Sequence, residues 1–350
     1  MRVVAFTSGL NEPSSRFRVR QFIPSLASHG VHVDEYPCTP AKFDPVPFGV
    51  PRFVWDYRRL RSRKRAFHSA STADLVWMER EFLAGRETLE LSVGRASNRI
   101  LDIDDAIFLS GVKGFSERIA AGCAAVIVGN AWLAEHYRPH AKRVFVVPTS
   151  VEPADWAGGN PNPGQNRWIV GWTGSSANFP YLLQTEPALA IFLANHRDAV
   201  VRVVADKPPL WKSLPPEQIE FVRWTVEAER LAVRGMDVGL MPLADEEWAR
   251  GKCAAKMLVY MAAGLPVVVS PVGANVDVLA RDDVGYAART TEEWLAALER
   301  LYRDAQGARA MGQRGLAVVK AEYSVTINAA RLAAVFGEVI ESSRCAGESI

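Results

Sequence analysis

The sequence predicts a two-domain α/β protein in which each domain is built on a doubly wound parallel sheet. Three observations carry this. Short apolar runs alternate with segments of helical periodicity along the chain, the pattern of strands joined by crossover helices. Asp237–Gly273 spells out one complete strand–helix–strand unit, and residues 148–167 interrupt the alternation midway. Length agrees, because 350 residues divide into two domains of roughly 150–180.

Val3–Thr7 is a short apolar strand, and Ser8–Ser15, with Gly9 and Pro13, is the loop after it. A helix over about Arg16–His29 closes at Gly30, a residue suited to a left-handed C-terminus. Val31–Tyr36 is the second strand, and a helix over about 52–70 precedes the strand Asp74–Met78. A helix near 86–96, the strand Ile100–Ile103, a helix near 114–122, the strand Ala125–Val128, a helix near 131–138 and the strand Val144–Val147 complete a first domain over 1–150. Pro, Gly and Asn dominate 148–167, which places a hinge or linker at 151–167 and a second domain over 168–325. That domain restarts with Trp168–Thr173, a helix near 180–196, and the strands Val200–Ala205 and Phe221–Trp224. In Asp237–Gly273, Val238, Leu240 and Met241 form one strand and Val267–Val269 the next. Gly264-Leu265-Pro266 ends the helix between them, since Gly accepts a left-handed residue and Pro cannot continue. Helices near 291–305, 308–321 and 326–341 follow, and the polar tail after Ser342 is expected to fray.

Apolar content of 49% and charged content of 23% are those of an ordinary globular protein. No apolar run approaches the ~18–20 residues that span a membrane, and the N-terminus MRVVAFTSG lacks the layout of a signal peptide. The four cysteines show neither CxxC nor a metal-ligand spacing, so a reduced, cytoplasmic protein without a metal site is expected. Cys123 and Cys253 read as small core residues. Net charge is only +2, but residues 52–65 hold Arg52, Arg58, Arg59, Arg61, Arg63, Lys64 and Arg65 against the single acid Asp56. Phe48, Phe53, Trp55 and Tyr57 lie among or beside them. Cations interleaved with aromatics point to an anionic membrane surface or a lipid-diphosphate acceptor, hence a peripheral contact at the inner membrane face. A solvated helix face is the plainer alternative. No nucleic-acid partner is expected, for want of a binding motif or a second basic stripe.

Ligands of open α/β sheets bind beyond the carboxyl ends of the strands, so the strand-to-helix loops hold the candidate residues, and in two domains these edges can face each other. In the Asp237–Gly273 unit, Arg250, Lys252 and Lys256 read as the first turn of the helix. Cations there oppose the helix macrodipole at about 0.3–1 kcal/mol each, and Lys252 and Lys256, four apart, repel. A bound anion reverses both penalties; ion pairing with Asp245, Glu246 and Glu247 is the plainer explanation. In the loop GWTGSSAN, Gly174 lets backbone approach a phosphate, while Ser175 and Ser176 can donate to it. With the two lysines these residues would make a diphosphate cradle, and Gly273 and Asn275, after the next strand, can face the same ligand. In the first domain, Gly9, Ser15, Arg16 and Arg18 surround the first loop, and arginines at a helix start favour an anionic partner. Arg80 and Glu81 follow the third strand; Asp102, Asp104 and Asp105 follow the fourth. Three carboxylates so close repel, and a partly buried one has a raised pKa. That cost has no evident structural return, which points to function.

These loops also resemble a known family. Asp237–Gly273 is similar to the donor-binding unit of GT-B glycosyltransferases, specifically the retaining family numbered four. The likeness is to a bacterial branch with a GK-C-x-x-K helix followed by L-x-Y-M-A-A-G-L-P-V-V. SSRFRVRQFIPSL, DLVWMEREFL, ILDIDDAIF, VIVGNAWLAEHY, VPTSVE and GWTGSSANFPYL carry the resemblance in order, from residue 2 to about residue 280. It implies two Rossmann-like domains facing a cleft, with a last segment, 326–350, whose helix crosses back to the first domain. It further implies a nucleotide-diphosphate sugar as co-substrate, no cofactor or metal, and retaining transfer to a polysaccharide, glycolipid or small-molecule acceptor. On this resemblance Gly174, Ser175, Ser176, Gly251, Lys252, Lys256, Gly273 and Asn275 bind the donor. Trp224 lines the nucleobase pocket, a core aromatic being the alternative. Asp104, Arg16, Lys252 and Lys256 are the catalytic candidates, and Gly9, Ser15, Arg18, Arg80, Glu81 and Asp105 lie on the acceptor side. Closure about the 148–167 hinge is expected to bring Arg16 and Asp104 to the sugar.

Two departures qualify the resemblance. Many members carry His where Asp104 stands, and the resulting D-x-D spelling resembles a GT-A metal motif that the GT-B layout argues against. The family's paired glutamates fall on Gly251 and Val259, leaving Asp245, Glu246 or Glu247 as replacements. The missing pair keeps a catalytically silent partner or surface-binding subunit as the alternative, with a nucleotide-sugar epimerase as a third reading.

Overall fold

The computed structural model describes residues 1–159 and 167–347, and these form two compact units. The first comprises Met1–Ser150, Arg250–Cys253 and the chain from Val325 onward; the second comprises Val151–Ala249 and Ala254–Ser324.

In the first unit six strands pair in parallel: β1 (Arg2–Thr7), β2 (His32–Pro37), β3 (Leu75–Glu79), β4 (Arg99–Ile103), β5 (Ala125–Val128) and β6 (Val144–Val146). Their order is β2-β1-β3-β4-β5-β6, so the crossovers reverse direction between β1 and β3. Side chains alternate between faces. Val4, Phe6, Val76, Met78, Leu101 and Ile103 pack with Phe115, Ile119 and Tyr137. Val3, Ala5, Leu75, Trp77 and Ile100 pack on the other side with Phe22, Leu26, Leu332 and Phe336. Burial on both faces is why these strands read as unbroken apolar runs.

The second unit holds β7 (Trp168–Thr173), β8 (Ala199–Ala205), β9 (Ile219–Arg223), β10 (Val238–Met241), β11 (Val267–Val269) and β12 (Gly285–Ala287). The order from one edge is β9-β8-β7-β10-β11-β12, the Rossmann order, with its switch point between β7 and β10. Both sheets are thus parallel and α/β, as predicted.

Several predicted elements differ. β12 was not anticipated, because a three-residue edge strand with the half-exposed pattern of GYA carries no periodicity. No helix occupies 86–96; two 3-10 turns, Glu90–Ser92 and Ala96–Asn98, stand there instead. The Glu90 carboxylate accepts the Phe82 amide at 2.6 Å, and Gly94 is left-handed at φ 60°; neither arrangement suits a continuing helix. The expected helix over Arg16–His29 breaks into Pro13–Arg18, a turn at Arg20–Phe22, and Ile23–Ser28, where Pro24 has no N–H to continue the ladder. The last helix, Val325–Gly347, runs past Ser342 rather than fraying there. The hydroxyls of Ser342 and Ser343 bond back to the carbonyls of Glu338 and Val339 at 2.8 and 3.0 Å. Residues 160–166 of the expected linker lie outside the described residues, while Pro153–Trp156 forms a helical turn in the second unit. No helix among the described residues is long and apolar enough to cross a membrane.

Candidate functional site

The carboxyl edge of the first unit is a network of charge organised by β3 and β4. Glu79, the last residue of β3, is buried and accepts from the Ser8 amide at 2.7 Å and the Ser15 hydroxyl at 3.0 Å. Ser15, expected on the acceptor side, is therefore used to shape the first loop. Gly9 is equally constrained, since a Cβ there would stand 2.7 Å from the Ala41 Cβ. Arg80 turns the chain in a left-handed conformation, φ 57°. Its guanidinium donates to Asp104 Oδ1 at 2.6 Å and to Asp105 Oδ2 at 2.7 Å. Glu81 pairs with the buried Lys42 ammonium at 2.8 Å. Arg16 is half-buried and lies 5.4 Å from the Phe17 ring, on a six-residue helix whose last turn, not its first, carries both Arg16 and Arg18.

Two of the expected roles are corrected here. Arg18 does not reach an acceptor, because its fully buried guanidinium bonds Asp102 Oδ1 at 2.7 Å and the Val147 carbonyl at 2.8 Å. Asp102 likewise serves the core: its second oxygen accepts from Trp77 Nε1 at 3.1 Å. Of the three clustered carboxylates only Asp104 and Asp105 keep partial exposure. Burial pushes Asp104 up to about 6; neighbouring Asp105 and Glu79 add to the rise, and Arg80 opposes it.

Residues 250–253 belong to this same unit. The Asn130 side chain caps the helix Ala131–Tyr137 through Oδ1, which accepts from Leu133 N at 2.8 Å. Its Nδ2 lies among the carbonyls of Arg250, Gly251 and Lys252 at 3.1–3.3 Å. The Cys253 thiol donates to the Asp104 carbonyl at 3.2 Å, and burial raises its pKa. Lys252 Nζ stands 3.9 Å from Asp105. A Cβ on Gly251 would fall 2.7 Å from the Ala106 nitrogen, so no glutamate fits at the first position of the missing pair. Val259, the second position, is buried.

The second unit builds its edge at the switch point. The sequence placed Lys252 and Lys256 together on one helical turn; the structure does not. Ala254 is left-handed at φ 56°, and the helix starts only at Ala255, leaving Lys256 in its first turn and Lys252 outside. Lys256 Nζ lies 5.6 Å from the centre of the Trp172 ring. Gly174 borders both, since a Cβ there would meet Lys256 Cε at 2.6 Å and Trp172 Cη2 at 2.8 Å. Trp172 was missed by the sequence reading, which gave it no role within Trp168–Thr173 or GWTGSSAN. Ser176 donates through its amide and hydroxyl to Asp206 at 2.6 and 2.7 Å, and Ser175 Oγ accepts from Asn178 at 3.0 Å. Gly273 precedes the helix Ala274–Leu279, and buried Asn275 donates to the Ser270 carbonyl at 2.9 Å while its Oδ1 has no partner among the described residues. Trp224 is half-buried just beyond β9, the far edge strand, two strands from the switch point. Glu246 accepts from the Tyr181 hydroxyl.

Comparison with known proteins agrees with this fold. Residues 168–304 match the family model described as Glycosyl transferases group 1. No curated protein sequence matches the chain. Sucrose-phosphate synthase from Thermosynechococcus elongatus superposes with a TM-score of 0.71 at 14% identity, covering 98% of this chain and 100% of that one. The catalytic domain of starch synthase IV from Arabidopsis thaliana, bound to ADP and acarbose, gives 0.68 at 11%, covering 97% and 99%. HepE of Anabaena in complex with UDP gives 0.64 at 14%, covering 97% and 100%. At these identities the likeness is one of fold: the chain has the GT-B fold of two Rossmann-like units, with the group 1 glycosyl transferase match in the second.

Proposed function

We propose that the protein is a glycosyltransferase of the family-four type, moving a sugar with retention from a nucleotide-diphosphate sugar to an acceptor, without a metal. The observation that carries this reading is the switch point of the second unit, where Lys256 and Gly174 meet beside Trp172 within the segment matched by the group 1 model. Gly174 leaves backbone accessible to a phosphate, and the Lys256 ammonium offsets charge growing on the departing nucleoside diphosphate. Such fixed charge lowers a barrier most when it is aimed where charge develops in the transition state. Acceptor chemistry falls to the first unit, where Arg80 orients Asp104 and Asp105. A cytoplasmic protein touching the inner membrane face through residues 52–65 fits this role.

The test is thermal stability against UDP-, GDP-, dTDP- and ADP-sugars and the free diphosphates, with and without EDTA. A ligand at one hundred times its Kd adds about 2.7 kcal/mol. One nucleotide class is expected to raise the midpoint equally in both conditions. No shift from any of them overturns the donor assignment, and a shift abolished by EDTA overturns metal independence. A silent partner subunit is the second reading, favoured by one observation: backbone packing at Gly251 excludes the glutamate that the family places there. Nucleotide binding without transfer to any acceptor would select it.

Asp104 adds a pH dependence. With its carboxyl raised to about 6, this group binds more protons folded than unfolded between about pH 4 and 6, so its contribution to stability falls as pH rises through that window. Turnover should rise through the same value if the ionised carboxylate receives a sugar hydroxyl. Asp104→Asn is expected to remove that limb from the kcat/KM profile. A limb near pH 6 persisting unchanged in the variant would refute the role.

A further inference from the structure

The helix Arg52–Lys64 divides the basic segment into two sets. Arg59 and Arg63 turn inward. Arg59 donates to the Ala41 and Asp44 carbonyls at 3.1 and 2.7 Å and pairs with Asp56 at 3.2 Å. Arg63 donates to the Thr7 carbonyl at 2.6 Å and lies 4.9 Å from the Phe82 ring centre. These two are structural cations, spent on the backbone carbonyls of Thr7, Ala41 and Asp44.

Arg58, Arg61 and Arg65 face outward at spacings of three and four, which set them on one side of the helix. All three are exposed, and among the described residues no carboxylate pairs with any of them. Together with Thr39, Pro40 and Ser62 they line a notch of about 420 Å³. The adjoining strip of the helix is aromatic: Phe53 and Tyr57, one turn apart, are 75% and 63% exposed. Phe48, four residues ahead of the helix, is fully exposed. Water does not reward such a surface, whereas the boundary of a bilayer accepts aromatic rings at the level of its headgroups.

We infer that this notch binds the phosphate of an anionic lipid headgroup, with Phe53, Tyr57 and Phe48 entering the interface beside it. Three guanidinium forks and a threonine hydroxyl supply more donors than a carboxylate accepts and suit the oxygens of a phosphate. The aromatic strip selects a lipid as the phosphate's source, because a free phosphate gives those rings nothing to enter. This inference stands independently of glycosyl transfer.

The test is co-sedimentation of the full chain with vesicles of phosphatidylcholine alone or mixed with phosphatidylglycerol. Binding is expected only to the mixed vesicles and should weaken with salt. Each cation near an anionic surface is worth about a fivefold change in affinity, so Arg58→Ala/Arg61→Ala/Arg65→Ala should lose on the order of a hundredfold. Phe53→Ser/Tyr57→Ser should also weaken binding, leaving the salt dependence intact. Arg309→Ala, an exposed arginine of the second unit, should change nothing. Failure of the unmodified chain to bind the mixed vesicles overturns the inference, as does full binding by the triple variant. A third arm titrates inorganic phosphate and glycerol 1-phosphate by calorimetry. Heat lost in the triple variant without any vesicle binding assigns the notch to a soluble phosphate and rejects the lipid.

Discussion

Lys256→Ala is expected to lower turnover at least tenfold while leaving the fold intact. A tenfold loss corresponds to about 1.4 kcal/mol of transition-state stabilisation, modest for a cation aimed at a leaving diphosphate. The side chain is half-buried against Trp172, so truncation also uncovers part of an aromatic ring. Lys256→Met separates the two contributions, because it retains an apolar stem against Trp172 and discards the charge. Equal losses in the two variants, measured as kcat with folding followed by circular dichroism, assign the effect to charge. Unchanged turnover in Lys256→Ala would sink the diphosphate role.

The second large effect is on stability. Asp102→Ala strands the Arg18 guanidinium, which is wholly buried, and removes the acceptor of Trp77 Nε1. Breaking one side of a buried pair typically costs about 3–5 kcal/mol, because the remaining charge is left uncompensated. Burial pulls the Arg18 pKa down, but Asp102, together with Asp104, holds it above its ordinary value; without Asp102, the Val147 carbonyl is the hydrogen-bond acceptor left to it among the described residues. Urea unfolding of Asp102→Ala should therefore show the largest fall of any single substitution named here. Adding Arg18→Met should recover much of the loss, since no charge is then stranded. A variant within about 1 kcal/mol of the parent would mean that water or a shifted side chain relieves Arg18.

The sequence by itself determined the fold class, and did so through β1, β3, β4, β5, β7 and β10. Each of these strands is buried on both faces and so reads as an apolar run whatever its neighbours are. It also determined that Arg80, Asp104 and Gly174 stand in loops at carboxyl ends, and Lys256 in the first turn of a helix that follows one, because a parallel topology admits no other placement. Asn130 was within reach as well: an asparagine between a strand and a helix is a recognisable N-cap. What the sequence left undecided was the fate of each charge. Asp102 and Asp104, two residues apart, looked alike as a repelling cluster. Only strand order revealed that one meets Arg18 from 84 positions away while the other meets Arg80 across the neighbouring strand. In the basic segment, seven cations looked interchangeable until helix rotation buried Arg59 and Arg63 and left Arg58, Arg61 and Arg65 outward. Lys252 and Lys256 kept helical spacing on paper, and a single left-handed Ala254 removed Lys252 from the helix. Apolar periodicity records whether a side chain is buried. Which partner satisfies a buried or half-buried charge depends on distances between segments remote in sequence, and the tertiary structure alone sets those distances.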